Sequence, residues 1–331
     1  MIWKFRPLSK RRIWGGGTLH AMYPALSSSV AVGDEGLFGD LVGEVWLLSG
    51  ISGSESIVSQ GADAGKSLND LVREYGRQIM GDNNLERYGE TFPLLIKLID
   101  AAQDLSIQVH PGDEMARESG MMWGKSEMWY VIGTEPNARL AVGFNAPQEP
   151  KRFREMTLNG DVCQTLRYTS VRTGDLFYIP SGRIHVLGAG CKVLEIQQTS
   201  DVTYRLYDYH RKDVDGKERE LHTELGYRAL NFNDTSGHSI DYDRESRDAV
   251  LMETPHFTAK RRLLGAGEKI NFQPVDSFRI LVCLSGAAAA IEPDGEEMMI
   301  RPGECMLISA DSEAVINTQI GFEAVETYIE K

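Results

Sequence analysis

The most regular alternation of apolar and polar residues lies in "LSIQVHPGDE", residues 105–114. Its two faces carry Leu105, Ile107 and Val109 on one side and Ser106, Gln108 and His110 on the other. A period of two predicts a β-strand with one apolar face, and the Pro-Gly that follows predicts its end. A polar face that carries both a glutamine and a histidine fits the wall of a cavity as well as a solvated surface.

One helix is predicted directly after Ser67. Ser67 and Asp70 have the spacing of a capping box. Apolar residues then recur at helical spacing, namely Leu68, Leu71, Val72, Tyr75 and Ile79. Gly81 and the polar residues after it end this helix. The next apolar stretch, "FPLLIKLIDA" at 92–101, fits a helix or a buried strand, because periodicity does not distinguish the two.

Short strands separated by glycine and proline turns are predicted for most of the remaining chain. The run of such strands from 105 to about 210 is typical of a sandwich or a barrel. Residues 231–250 are polar and acidic, which indicates a linker. We therefore predict a first domain at 1–235, with a helical insertion at about 66–101, and a second β domain at 236–331.

A weak internal repeat connects the two predicted domains. The segments "GDLFYIPSGRIHVL" (174–187) and "GECMLISADSEAVI" (303–316) align without a gap and share a glycine and an isoleucine. In this alignment His185 lies opposite Ala314. The repeat indicates two similar β domains, of which only the first has a polar site.

Composition and charge restrict the possible partners. The chain has 331 residues, 42% of them hydrophobic and 25% charged, which is ordinary for a globular protein and enough for two cores. Its formal net charge of −13 argues against nucleic acid or an anionic membrane as a partner. The sequence contains neither an apolar run long enough to span a bilayer nor a signal core, so we expect a cytoplasmic protein. The four cysteines form no Cys-x-x-Cys pair, which favours reduced thiols.

Four polar residues on three predicted strands suit a divalent metal ion. Gln108 and His110 lie on the first strand, and Glu127 lies in "GKSEMWYVI". The glycines and the proline before His185 predict a hairpin turn, so that His185 begins the returning strand and faces inward. Histidines with oxygen ligands and without a thiolate fit catalytic zinc, with manganese or iron as alternatives. Residue chemistry alone leaves a metal site and ordinary hydrogen-bonded side chains equally open.

Three cations lie close in sequence to these strands: Lys97, Lys125 and Arg205. Lysine and arginine are the usual side chains that hold a phosphate or a developing oxyanion. Solvated surface side chains are the alternative for the lysines. Arg205 lies among aromatic residues in "TYRLYDY", so we expect its stem to be covered. The preceding strand ends at Asp201.

Four segments together resemble the motif set of the type I mannose-6-phosphate isomerases, zinc-dependent phosphomannose isomerases of the cupin superfamily. These segments are "LSIQVHPGDEMA", "GKSEMWYVI", "GDLFYIPSGRIHVL" and "EIQQTSDVTYRLYDYHR". The resemblance runs from about Trp14 to Arg211 and is to the compact bacterial form. It implies a mainly β fold of two cupin (jelly-roll) barrels with a small helical insertion, in which the second barrel is degenerate and lacks a metal site.

The resemblance also implies a role for each candidate residue. One zinc ion per chain would be bound by Gln108, His110, Glu127 and His185. Arg205 would be catalytic, with Lys125 and Asp201 as the other proton-transfer groups. Ser106 and Lys97 match positions that are linked to holding the phosphate. The expected reaction interconverts mannose 6-phosphate and fructose 6-phosphate through a cis-enediol.

Three other functions stay open at this point. An iron-dependent cupin dioxygenase would use a His-x-His pair, which the sequence lacks. A cupin that binds a sugar phosphate without catalysis would have lost ligand positions, whereas all four match here. An isomerase for another aldose phosphate would share the motifs, since they indicate the chemistry better than the sugar. In each of the last two cases the partner is a small sugar phosphate.

Overall fold

Strands make up most of the regular backbone, which confirms the mainly β prediction. The computed structural model describes residues 1–24, 26, 42–213 and 216–329. Its helices are α1 (Leu19–Met22), α2 (Leu68–Met80), α3 (Asp82–Tyr88), α4 (Asp113–Glu118), α5 (Pro150–Asn159) and α6 (Thr223–Ala229), and Val162–Thr165 forms a 3-10 turn. None of the helices in the described ranges has the length and apolarity that crossing a bilayer requires.

The strands are short and follow one another closely. The first eight are β1 (Ile2–Arg6), β2 (Leu8–Arg11), β3 (Val42–Leu48), β4 (Ile57–Val58), β5 (Leu94–Asp100), β6 (Ile107–Val109), β7 (Glu127–Thr134) and β8 (Arg139–Phe144). They are followed by β9 (Leu166–Ser170), β10 (Leu176–Ile179), β11 (His185–Val186), β12 (Cys191–Gln198) and β13 (Tyr204–Tyr207). The remaining strands are β14 (Asp248–Glu253), β15 (Thr258–Leu264), β16 (Lys269–Phe272), β17 (Arg279–Gly286), β18 (Ala288–Ile291), β19 (Glu297–Ile300), β20 (Cys305–Ile308), β21 (Ala314–Asn317) and β22 (Phe322–Tyr328).

The strands form four sheets that stack as layers. Their orders are β13-β6-β11-β8-β9, β10-β7-β12-β5-β3-β2, β14-β15-β22-β17-β20-β1-β4 and β16-β21-β18-β19. One apolar core lies between the five- and six-stranded sheets, a second between the six- and seven-stranded sheets, and a third between the seven- and four-stranded sheets. In β7, Trp129 belongs to the first core and Met128 to the second, as the period of two requires.

The predicted repeat corresponds to the strand order of the sheets. The order β10-β7-β12-β5-β3 in the six-stranded sheet matches β20-β17-β22-β15-β14 in the seven-stranded sheet. Likewise β6-β11-β8-β9 matches β16-β21-β18-β19. The aligned segments begin their strands at the same places, because Leu176 and Cys305 open β10 and β20, and His185 and Ala314 open β11 and β21. Each pair of facing sheets therefore repeats the same chain path.

The first strand crosses the predicted domain boundary. In β1, Ile2 pairs with Ile308 of β20, and Phe5 pairs with Val58 of β4. Apart from β1 and β4, all strands of the seven-stranded sheet lie after residue 247. The seven-stranded sheet therefore combines strands from both sides of residue 235, because β1 pairs with a strand of the predicted second domain.

Helix α2 forms where the sequence predicts it. The Ser67 side chain accepts from the Asp70 backbone N–H, and the Asp70 carboxylate accepts from the Ser67 backbone, which completes the capping box. Gly81 ends the helix with φ 78°, a conformation that glycine adopts without strain. The predicted helical insertion at 66–101 is too long, because 94–100 forms β5. Every residue of β5 is buried, so its sequence has no polar face to reveal the strand period.

The predicted hairpin between β10 and β11 is wrong. These strands lie in different sheets, since β10 pairs with β7 and β11 pairs with β6 and β8. Pro180 has no N–H to donate to a hairpin ladder, and the Gly182 N–H donates to the His110 carbonyl oxygen at 2.9 Å. The turn therefore carries the chain from the six-stranded to the five-stranded sheet and delivers His185 opposite β7.

All four cysteines are unpaired thiols, as their spacing predicts. Cys191, Cys283 and Cys305 are buried, and Cys163 is half-buried. Burial raises the pKa of the Cys191 thiol to about 12, so this thiol is protonated at neutral pH.

The capping box gives a test of local stability. We expect Ser67→Ala to lower the free energy of unfolding by about 1 kcal/mol, because the Asp70 N–H loses its acceptor at the helix start. Urea denaturation followed by circular dichroism measures this change. Ser67→Thr keeps the hydroxyl, so we expect its free energy of unfolding to fall by no more than about half as much. Equal destabilisation by both variants would contradict the role of the cap.

Candidate active site

Two imidazoles and one carboxylate meet between the five- and six-stranded sheets. One ligand atom from each of His110, Glu127 and His185 lies within 4.8 Å of the others, and all three residues are buried. His110 Nε2 lies 3.5 Å from Glu127 Oε2, and His185 Nε2 lies 3.5 Å from Glu127 Oε1. Glu127 opens β7 of one sheet, while the histidines come from β11 and the end of β6 in the facing sheet.

The backbone fixes the orientation of His185. Its Nδ1 lies 2.9 Å from the carbonyl oxygen of Arg183, which is consistent with an Nδ1–H donor and leaves the lone pair of Nε2 directed toward Glu127. Gln108 lies beside it, with Nε2 at 3.1 Å from His185 Nε2. The Gln108 amide oxygen accepts from the Ser106 hydroxyl at 3.2 Å. The four predicted metal ligands therefore lie together in the structure.

Lys125 supplies a positive charge next to the cluster. Its Nζ lies 3.0 Å from Glu127 Oε2 and 3.2 Å from His110 Nε2, and the side chain is almost fully buried. The strand start at Glu127 brings Lys125 to this place, because Lys125 precedes it by two residues and points to the same side.

Electrostatics leave this cluster in the protonation state that a metal ion requires. Burial lowers the pKa of His110 to about 3, with the Lys125 charge adding to the effect. Burial likewise lowers the pKa of His185. Burial alone would raise the pKa of Glu127, but the charge of Lys125 and, after it, the contact with the imidazoles hold this pKa well below its usual value. At neutral pH the cluster consists of two neutral imidazoles and a carboxylate.

The polar atoms of this cluster are not satisfied by the protein. Among the described residues, no hydrogen-bond partner of acceptable geometry reaches His110 Nδ1 or either carboxylate oxygen of Glu127. Buried polar atoms are normally paired, because an unpaired one costs about 1–3 kcal/mol. Two histidines and a glutamate are a frequent ligand set of catalytic zinc, and neutral imidazoles with a carboxylate are the forms that bind it. The donor set fits a divalent metal ion.

A cavity of about 830 Å³ opens directly in front of the cluster. Gln108 and Lys125 belong both to its wall and to the contacts of the cluster. The other predicted residues that line it are Ser106, Lys97, Asp201 and Arg205. All nine residues singled out in the sequence therefore lie in this cavity or immediately behind it.

The cavity is positively charged although the chain is negative. Its lining contains six arginines and lysines against four carboxylates, in a chain of formal net charge −13. Arg205 donates from Nη1 to the Glu220 carbonyl oxygen at 2.7 Å, and burial together with the charge of Arg219 lowers its pKa. Asp208 holds Arg219 in place, with Arg219 Nε at 2.7 Å from Oδ2. Such a surface attracts anions.

The predicted phosphate residues differ in their surroundings. Lys97 Nζ lies 3.1 Å from Glu195 Oε1, and both side chains are buried. Burial would lower the pKa of Lys97, but the charges of Glu195 and Glu44 raise it, so the ammonium is charged. Ser106 donates to Gln108, as described above. Lys97 therefore lies in a network of buried charges as well as in the cavity wall.

Comparison with known proteins agrees with this site. A sequence model described as the catalytic domain of type I phosphomannose isomerase matches residues 2–148. The mannose-6-phosphate isomerase ManA of Bacillus subtilis is 42% identical over 228 residues, which cover 68% of this chain and 67% of that protein. The mannose-6-phosphate isomerase of Streptococcus mutans is 31% identical over 300 residues, covering 90% and 89%. This chain belongs to the type I phosphomannose isomerase family.

The similarity to one solved phosphomannose isomerase structure covers nearly the whole length of both chains. The crystal structure of the mannose 6-phosphate isomerase from Bacillus subtilis superposes with a TM-score of 0.85 at 29% sequence identity and covers 99% of each chain. The structure of a putative mannosephosphate isomerase from Archaeoglobus fulgidus, at 19% identity and a TM-score of 0.77, supports the fold alone.

Several residues that line the cavity were not predicted from the sequence. Arg12, Glu44, Arg219 and His222 all line the cavity. Arg12 and Glu44 form a two-pronged ion pair at 3.1 Å, and Glu44 also accepts from Trp46 Nε1 at 2.7 Å. The basic run at the start of the sequence contains Arg12, but only the pairing of β2 with β3 shows that it faces the site.

The pKa of Glu44 gives a pH-dependent test. Burial would raise it, but the charges of Lys97 and Arg12 outweigh that effect and lower it to about 2. Because the unfolded carboxyl has a pKa near 4.5, the pairing stabilises the fold fully above that pH, and this contribution is lost as the pH falls toward 2.

We expect Glu44→Gln to lower the free energy of unfolding at pH 7 by roughly 2–3 kcal/mol. The difference from the wild type should be constant down to about pH 4.5 and then narrow. Urea denaturation between pH 7 and pH 3.5 tests this. Glu155→Gln, at an exposed helical position, serves as control. A difference that does not narrow below pH 4.5 would contradict the assignment of this pKa.

Proposed function

We propose that this chain is a zinc-dependent aldose-ketose isomerase that interconverts D-mannose 6-phosphate and D-fructose 6-phosphate. The observation that carries the proposal is the buried cluster of two neutral imidazoles and a carboxylate at the wall of a cationic cavity. The cavity of about 830 Å³ has room for a hexose phosphate. The names of the Bacillus subtilis and Streptococcus mutans relatives support this substrate.

The metal would be held by four side chains, namely Gln108, His110, Glu127 and His185. Bound zinc would act as a Lewis acid that stabilises negative charge on the sugar oxygens. The protein keeps the imidazoles unprotonated by burial, and the Arg183 carbonyl keeps the Nε2 lone pair of His185 available. One zinc ion per chain is expected.

We propose that Lys97 and Ser106 hold the phosphate. Lys97 has three N–H donors, and its ion pair with Glu195 uses one of them. Although burial would lower the pKa of Lys97, the charges of Glu195 and Glu44 raise it, so the lysine remains an ammonium when the phosphate enters. The other cations of the cavity would attract the dianionic substrate from solution. This arrangement fixes one end of the open-chain sugar and leaves the other end near the cluster.

The reaction moves one proton between C2 and C1 of the open-chain sugar through a cis-enediol. We propose Asp201 as the base that carries it. Its carboxylate lines the cavity and is exposed, and no cation of the described chain lies within ion-pair distance. Lys125 and Arg205 would act as fixed positive charges beside the negative oxygen that develops, in a site where burial makes such charges effective.

We also propose that each pair of facing sheets is a cupin barrel. The matching strand orders support two copies of one chain path. In this proposal residues 1–235 form the catalytic domain and residues 236–331 form a degenerate cupin domain without the metal set, with β1 contributed to the second by the first.

Metal removal tests the cofactor and the reaction together. We expect a chelator to abolish formation of fructose 6-phosphate from mannose 6-phosphate in a coupled assay, and zinc to restore it. Elemental analysis should find about one zinc per chain. His185→Ala should lose the zinc, because only three of the four proposed ligands remain, whereas His238→Ala, at an exposed position, should retain both zinc and activity.

Two results would contradict parts of this proposal. Stoichiometric zinc without turnover of mannose 6-phosphate would show that the substrate is a different aldose phosphate. Neither zinc nor turnover in the wild type would favour a sugar-phosphate-binding protein.

The proposed base has its own test. We expect Asp201→Asn to reduce kcat by a factor of about 100 or more, since general-base catalysis contributes about 100- to 10,000-fold. Exchange of the C2 proton of mannose 6-phosphate with deuterated solvent should fall by the same factor. Asp213→Asn changes a carboxylate of the same cavity and is expected to stay within about threefold of the wild type. Proton exchange that survives in Asp201→Asn would exclude Asp201 as the base.

A further inference from the structure

A second cavity, of about 530 Å³, opens at one end of the core between the seven- and four-stranded sheets. Its charged lining residues include Lys260, Arg262, Arg279 and Glu326, and its apolar wall includes Phe272. These four charged side chains share the strand faces that carry the apolar core further along β15, β17 and β22. The cavity therefore occupies the interior end of the second sheet pair.

Strand register makes this cavity the counterpart of the candidate active site. In the first sheet pair Glu195 pairs with Lys97 on one side and with Trp129 on the other. In the second sheet pair Glu326 pairs with Lys260 on one side and with Leu281 on the other. The buried Lys97–Glu195 pair and the residues Lys260 and Glu326 thus hold the same places in the two sheet pairs.

The positions of the metal ligands carry different chemistry in the second cavity. Ile179 pairs with Glu127, and its counterpart Ile308 pairs with Arg279. The His185–Gln108 pair corresponds to Ala314–Phe272. No donor set for a metal remains at these positions. A guanidinium stands where the first cavity has its buried carboxylate, so the sign of the charge at the centre is reversed.

The charges in the second cavity are not balanced. Glu326 is the one fully buried carboxylate of the group, and its side chain is 1% exposed. Arg262 Nη2 lies 2.5 Å from Glu326 Oε2, and Arg279 Nε lies 3.2 Å from Oε1. Lys260 lies over the Tyr328 ring and forms no ion pair with a carboxylate in the described ranges. Three cations therefore surround one carboxylate.

Nearby carboxylates do not remove this excess. Asp248 contacts Arg262 from an exposed position, and Asp276 accepts from the backbone N–H of Asp82 and from the side chain of Asn83 at the start of α3. Arg87 adds a fourth cation to the lining. Burial lowers the pKa of Arg279 despite the Glu326 charge, which is the response of a cation with incomplete compensation.

We propose that the second cavity is a metal-independent binding site for a small phosphorylated molecule. Phosphate suits it because two guanidinium groups and an ammonium line the same cavity, and arginine can bind two phosphate oxygens at once. Phe272, Ile270 and Val275 provide an apolar wall for the rest of such a molecule. The site goes beyond the proposed isomerase activity and does not depend on it.

Isoleucine methyl groups report on the two cavities separately. Ile270 and Ile329 line the second cavity, and Ile99 lines the candidate active site. We would label the isoleucine δ1 methyls of the zinc-loaded full chain, assign these three by substitution, and titrate inorganic phosphate by NMR. The expected result is a saturable shift of Ile270 and Ile329, whatever happens at Ile99.

Charge variants assign that binding to the cations. We expect Lys260→Met to weaken the apparent affinity at Ile270 and Ile329 by about tenfold or more, because a charge-assisted hydrogen bond is lost. Lys269→Met removes an exposed lysine from neighbouring β16 and should change the affinity by less than about twofold. Arg279→Lys keeps the charge beside Glu326 but loses the fork, and should also weaken binding. An unchanged Ile99 signal confirms that each variant is folded.

Three outcomes would overturn the proposal. They are no shift at Ile270 and Ile329, a shift that grows linearly without saturation, and a saturable shift that is equal in the wild type and Lys260→Met. A response confined to Ile99 would overturn the second site and leave the proposed isomerase standing. A wild type that does not turn over mannose 6-phosphate but still gives the saturable Ile270 shift would overturn the proposed isomerase and leave the second site standing.

Discussion

The burial of one carboxylate is the constraint on which the candidate site depends. Glu127 is inaccessible to solvent, and the removal of a carboxylate from water costs several kcal/mol unless charges and hydrogen bonds replace the water. Part of the replacement comes from the Lys125 ammonium on the same chain segment, and the two imidazoles on the facing sheet complete a donor set that fits a metal ion. The carboxylate therefore requires the two sheets to face each other in one register. This requirement places three polar residues where an apolar core would otherwise continue.

The two sheet pairs show how one chain path supports opposite electrostatics. Trp129 and Leu281 hold equivalent places in β7 and β17, and both belong to apolar cores. Two residues before them the first strand has a glutamate and the second an arginine, each near the open end of its core. The apolar part of the interior keeps the layers together, so the open end is where polar residues can differ between the copies. The lysine and glutamate of the neighbouring strands are the same in both.

Structural features that depend on residues close in sequence could be predicted, whereas features that depend on distant strands could not. The alternation around Gln108 placed that side chain correctly, because the pleat of a strand fixes which residues share a face. The ambiguous stretch at 92–101 contains a strand that is buried on both faces, so polar and apolar residues do not alternate along it and its period does not show in the sequence. The turn before His185 was mistaken for a hairpin because its glycines and proline indicate a turn but not the sheet that receives the next strand.

The part of the site that was not predicted depends on contacts between residues far apart in sequence. Arg12 and Glu44 are paired across two strands and face Lys97 on a third, and nothing near them in sequence indicates the cavity. Their positions depend on the order of strands in a sheet, which a single sequence does not specify. The residues of the metal cluster could be predicted from the sequence because each lies in a motif of its own. Arg12 and Glu44 belong to no motif.

The first strand has a consequence for how the chain is made. During synthesis β4 follows β1 by about fifty residues, whereas β20, the partner of the other edge of β1, is made about three hundred residues later. Until then that edge exposes unpaired N–H and C=O groups together with the apolar face that holds Trp3 and Phe5. The core between the six- and seven-stranded sheets therefore closes only after β20 and β22 have left the ribosome. A newly made chain is most exposed to aggregation or to chaperones over that interval.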